Sequence, residues 1–116
     1  MSGSLHGATV ELAAVNAPTG RDGGVAHGAR LLAFTDAVMS ADDGALARER
    51  AALRAVLSDE AFVDTCAVIG AFNVVDRIAD ATGIPLDPML AAMGGDLRRD
   101  LNLARFASAA NTPDGA

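Results

Sequence analysis

Residues 58–85 read SDEAFVDTCAVIGAFNVVDRIADATGIP, and this stretch decides the fold. Ser58 offers a hydroxyl that accepts an otherwise orphaned backbone N–H at a helix start, and Asp59 and Glu60 suit the positive end of the helix dipole. At the far end Gly83 can take the left-handed conformation that closes a helix. Ile84 makes the accompanying apolar contact and Pro85 blocks continuation. The signals predict a helix over 59–82. Within it Phe62, Cys66, Ile69 and Phe72 form one apolar stripe, and Val68, Val75, Ile78 and Ala79 form another. Apolar residues on both sides predict burial from more than one direction. In a chain of 116 residues the second face calls for another subunit.

Upstream, Leu31, Phe34 and Val38 recur at spacings of three and four, which predicts a helix over 25–39. Ser40 to Gly44 is a polar break rich in capping residues. A further helix is predicted over 45–57, with Leu46, Leu53 and Leu57 on one face and Arg48, Glu49, Arg50 and Arg54 on a solvated one. The first 24 residues read as an arm or linker holding a short helix over 9–16. Residues 17–24 carry three glycines and a proline. They lack the Lys-Ser/Thr ending of a phosphate-binding loop and follow no clear strand, so a linker is the better reading.

Downstream, Asp87 followed by Pro88 is an N-cap with proline at the first helical position. Met89, Leu90 and Met93 give that helix an apolar side. Gly94 and Gly95 interrupt it, Asp96 recaps, and a last helix is predicted from Leu97 to about Ala110, with 111–116 fraying. No stretch alternates cleanly over five residues and there is no internal repeat, so the expected fold class is all-α.

Composition limits function. Alanine accounts for 26 residues and Leu, Ile, Val and Phe together for 28, enough for one thin core. A net charge of −6 and only four aromatic residues, all Phe, disfavour nucleic-acid binding and anionic membrane surfaces. Cys66 is the single cysteine, so an intrachain disulfide and an intrachain dithiol cycle are excluded. With His6 and His27 as the only histidines, no metal site and no cofactor are expected. The N-terminus shows no basic region followed by an apolar core, and no apolar run spans a bilayer. The expected location is cytoplasmic.

The order of features from His27 to Pro88 resembles the C-terminal half of the carboxymuconolactone decarboxylase/alkyl hydroperoxidase D (AhpD)-like superfamily, especially its peroxidase-related members. The residues that carry the resemblance are Leu31-Leu32-Ala33-Phe34 and Leu53-Arg54 leading to Leu57-Ser58-Asp59-Glu60. Val68-Ile69-Gly70-Ala71-Phe72-Asn73, Arg77-Ile78-Ala79-Asp80 and Gly83-Ile84-Pro85-Leu86-Asp87 follow. The resemblance covers somewhat over half the chain. It implies a bundle of four to five helices over 25–110, completed by oligomerisation.

Active members carry a Cys-x-x-Cys pair, then a histidine, with an acid upstream, and that motif should precede His27. Residues 1–26 contain no cysteine, and Gly70 stands four positions after Cys66. No catalytic residue carries over. The expectation is a non-redox binding or assembly protein, a homo-oligomer, in which dithiol peroxidase activity of the isolated chain is absent. The alternatives are a non-redox decarboxylase, isomerase or hydrolase of a small anionic substrate on the same scaffold, and one half of a split alkyl hydroperoxidase whose partner polypeptide brings the dithiol helix.

Four residues are candidates for ligand binding: Asn73, Asp76, Arg77 and His27. Asn73 and Arg77 lie four apart on one face of the central helix, with Asp76 and Asp80 beside them. The favoured reading is a structural ion-pair network at an interface. The functional one is a pocket where Arg77 grips an anion and Asn73 orients it. His27 lies at the start of the helix predicted over 25–39 and is read as capping or solvent-exposed. Cys66 is read as a small buried hydrophobe.

Overall fold

The computed structural model describes residues 2–5, 7–16 and 20–111. The chain is mostly helical, with one short hairpin added at its start. Strands β1 (Ser2–Leu5) and β2 (Ala8–Glu11) pair antiparallel, Leu5 opposite Ala8 and Ser2 opposite Glu11. A 3₁₀ turn follows over Leu12–Asn16. Then come α1 (Gly28–Met39), α2 (Asp43–Arg54), α3 (Asp59–Thr82), α4 (Pro88–Met93) and α5 (Gly95–Asp100), and two 3₁₀ turns, Leu103–Arg105 and Ala107–Asn111. Two compact units divide the chain, residues 1–71 and 72–116, with α3 running through the boundary.

In the first unit the sequence places a short helix at 9–16, and the structure replaces its first part by β2. The reason is pairing that no local pattern reveals. Gly7 takes a φ of +82° in the hairpin turn, and the Glu11 N–H donates to the Gly23 carbonyl at 2.8 Å. The predicted linker thereby closes on β2 where it is described. The Gly24 N–H donates to Asp22 Oδ1 at 2.9 Å, and a side chain at Gly24 would run into the Thr9 carbonyl. Gly28 meets the Asp22 backbone in the same way, so both glycines are needed for close approach. Residues 17–19 of that loop and the tail 112–116 lie outside the described residues.

Helix α1 starts at Gly28 rather than 25 because His27 sits in the left-handed region, with φ at 58°. Asp42 caps α2, its Oδ1 accepting the Ala45 N–H at 2.9 Å. The helix ends at Arg54 rather than 57, because the Leu53 carbonyl receives the N–H groups of both Val56 and Leu57 at 3.1 Å and tightens the last turn. Among the described residues of the first unit, Leu53, Phe34, Ala37 and Ala14 are the buried apolar ones. Helices α1 and α2 pack against each other. The start of α3 joins through the Phe34 and Phe62 rings, 5.6 Å between centroids, and Arg54 lies over Phe62 while its Nη2 reaches Asp59 Oδ1 at 3.1 Å.

The predicted bounds of α3 match the structure. Ser58 Oγ accepts the Ala61 N–H at 3.2 Å, and Gly83, at φ 64°, lets the Ile84 N–H return to the Ala79 carbonyl. In the second unit Asp87 Oδ1 accepts the Met89 N–H at 2.8 Å with Pro88 at the first helical position. The last helix is shorter than predicted. It ends at Asp100 because Asn102 turns left-handed at φ 51°, a conformation asparagine tolerates. Among the described residues of this unit only Ala91 is buried.

Candidate functional site

Helix α3 brings Asn73 and Arg77 together. Arg77 Nε donates to Asn73 Oδ1 at 2.8 Å, the contact expected of residues one turn apart. Asn73 is half-buried, whereas Asp76, Arg77 and Asp80 are exposed. Among the described residues no carboxylate lies within ion-pair distance of Arg77; the ion pairs are Arg21–Glu11, Arg54–Asp59 and Arg99–Asp96. Among the described residues of a single copy the ion-pair network expected around Arg77 is not formed. Arg77 has Asn73 as its hydrogen-bond partner and is exposed.

His27 belongs to the first unit, whereas Asn73, Asp76 and Arg77 belong to the second. Its side chain makes no capping hydrogen bond and is exposed, which agrees with the solvent-exposed reading and not with the capping one. Cys66 departs from expectation. It is exposed and free, so no described residue buries it as the apolar stripe predicts.

Sequence reasoning missed a cleft of about 340 Å³ in the first unit, where Arg21, Arg30, Asp36 and Glu49 meet beside Ala14 and Leu32. A smaller apolar recess of about 200 Å³ is lined by Val10, Leu12, Val25 and Leu31, among others. The four charged residues come from a loop and two helices, so no spacing pattern links them. Both signs of charge line the larger cleft, and Arg21 already pairs with Glu11 at 3.4 Å, so it has no dominant field for an anion. Among the described residues no cluster of three His, Cys, Asp or Glu side chains is arranged to hold a metal ion. No described helix is long and apolar enough to cross a membrane.

The most extensive chemical feature is apolar. Along α3 the side chains of Val63, Val68, Phe72, Val74, Val75 and Ile78 are exposed, and no residue of this helix is fully buried. In unit 2 Ile84, Met89, Leu90, Met93 and Phe106 add to them, Met93 with 75% of its surface open. Isolated exposed apolar residues are ordinary; a run of them along one long helix marks an interaction surface. No protein-family model, curated protein or solved structure matches the chain.

Proposed function

We propose that this chain is a self-associating helical protein, an AhpD-like scaffold without the redox dithiol, whose role is binding or assembly. The observation that carries the proposal is the uncovered apolar surface of α3. A 24-residue helix with valine, isoleucine and phenylalanine open to water is poorly covered by its own chain. Among the described residues of unit 2 one alanine is buried, less core than small domains usually need to stand alone. Association supplies the missing cover. The resemblance in residues 27–88 supports the scaffold, and the absence of any cysteine before Cys66 supports a role other than dithiol chemistry.

Sedimentation velocity over a concentration series tests the reading. A dimer or higher oligomer is expected, and a stable monomer at every concentration refutes it. A second reading, a non-redox enzyme or binding protein for a small anion, has one observation in its favour: Arg77 is exposed, held by Asn73 and, among the described residues, not engaged by a carboxylate. Calorimetric titration with small carboxylates, repeated on Arg77→Ala, separates the two. Binding that disappears in a variant of unchanged oligomeric state establishes the ligand reading.

A further inference from the structure

The charged cleft of the first unit holds about 340 Å³, near the lower end of small-molecule sites, which run from about 300 to 1,000 Å³. Its described lining residues all fall within residues 1–71, so its geometry does not depend on the second unit. The floor is small and apolar, made by Ala14, Ala29, Leu32 and Ala33. The charges around it are sorted by position. Arg30 lies in the first turn of α1, and Arg21 joins it from the preceding loop. Asp36 lies six residues further along the same helix, about 9 Å at 1.5 Å per residue. Glu49 comes from α2 and is half-buried. The ion pairs among the described residues engage Arg21 but leave Arg30, Asp36 and Glu49 without a partner of opposite charge.

We infer that this cleft binds a zwitterion, a free short peptide whose C-terminal residue is apolar, with its carboxylate at Arg30 and its ammonium at Asp36 and Glu49. A lone anion or a lone cation meets both signs here and gains little. A molecule with one charge at each end satisfies both, and the positive end of the α1 dipole favours the carboxylate on the Arg30 side. Length selects the class. The two charges of a single α-amino acid flank one residue, about 3.5 Å, whereas two extended residues span about 7 Å. Arginine and glutamate side chains cover the remaining distance.

Shape selects the terminal residue. The apolar recess of about 200 Å³ shares Ala14, Val15 and Leu32 with the cleft, so the two lie side by side. From α1 the recess takes only Gly28, Leu31 and Leu32, which sets it at the Arg30 end and not at the Asp36 end. A branched side chain next to the ligand carboxylate falls beside it. Burying that side chain adds a hydrophobic contribution that a plain ω-amino acid of equal length lacks. The site is independent of the self-association proposed above.

Calorimetric titration of the full chain at low salt with glycyl-leucine tests the inference, and saturable binding is expected. N-acetyl-glycyl-leucine lacks the ammonium and glycyl-leucine amide lacks the carboxylate. Each should bind about tenfold more weakly, the scale of one charge-assisted hydrogen bond at an exposed site. Leucyl-glycine and ε-aminocaproate should also bind more weakly, because neither sets a branched apolar group beside the carboxylate. Arg30→Gln and Glu49→Gln should each lose about tenfold with far-UV circular dichroism unchanged. Arg50→Gln, exposed on α2 and outside the cleft, should lose nothing. No saturable binding at millimolar glycyl-leucine overturns the inference. Equal binding of the blocked peptides overturns two-ended recognition, and ε-aminocaproate binding as tightly as glycyl-leucine overturns the peptide assignment. Binding untouched by both Arg30→Gln and Glu49→Gln overturns the site. Sedimentation without peptide reads self-association separately, so either proposal can fail alone.

Discussion

Leu53→Ala is the sharpest test of where the stability of the first unit resides. Leu53 is 0% exposed, the most deeply buried large side chain described. The substitution removes three heavy-atom groups from the seam where α2 meets α1. At about 0.8 kcal/mol per buried methylene, the transfer loss is roughly 2.4 kcal/mol. Partial collapse of the cavity adds to this, for about 3–4 kcal/mol in all. Most of the stability of a small unit is at stake. The chain has no tryptophan or tyrosine, so urea unfolding is followed by far-UV circular dichroism. With a slope near 1 kcal/mol per molar urea, the midpoint should fall by about 3 M. Val63→Ala, at a site 62% exposed, is the matched control and should shift stability by less than about 0.5 kcal/mol. Both are measured at one protein concentration. A loss under about 1 kcal/mol at Leu53, or an equal loss at Val63, would falsify the placement of the core.

Other substitutions probe local chemistry. Gly24→Ala forces a side chain onto the Thr9 carbonyl at a backbone φ of 77°, so a loss of about 2 kcal/mol or more is expected from thermal melts. Asp42→Ala removes the acceptor of the Ala45 N–H and should cost about 1 kcal/mol, with recovery in Asp42→Asn. Arg77→Ala should change stability by no more than about 0.5 kcal/mol, since its one described partner is an exposed contact on the same helix; a larger loss in urea titrations would point to a structural role. Cys66 is exposed, so one thiol per chain should react with a disulfide reagent without denaturant. Protection of that thiol would show that association covers this side of α3.

The parts of the fold legible in the sequence are those with local causes. The two ends of α3 are set by Ser58 and by Gly83, Ile84 and Pro85, within one turn of the residues they terminate, so its bounds match. The Asp87 cap of α4 is legible for the same reason. The hairpin is not, because strand pairing between residues 2–5 and 8–11 and the Glu11 bond to Gly23 link positions that no helical or alternating period connects. The early end of α5 turns on a single left-handed asparagine, Asn102, where sequence allows either course.

The candidate site divides along the same line. The Asn73–Arg77 contact follows from spacing alone, and the structure places it at 2.8 Å. The burial of Arg77 and of Cys66 does not follow. Periodicity shows that a helix has apolar sides; it cannot show whether this chain has enough mass to cover them. The charged cleft of the first unit, which gathers Arg21, Arg30, Asp36 and Glu49 from separate elements, leaves no trace in sequence spacing at all.

Among its described residues unit 2 buries one alanine. With the chain self-associated as proposed, each copy lends its neighbour the interior that it lacks. The folded fraction of this half then rises with total protein rather than being fixed by sequence. Dilution removes that cover from the exposed valines and isoleucine of α3, the kind of pattern that proteases and chaperones sort on. Hydrogen exchange in this half should slow as concentration rises, while exchange around Leu53 stays constant. Such a protein sets a floor on its own useful concentration, below which it is cleared.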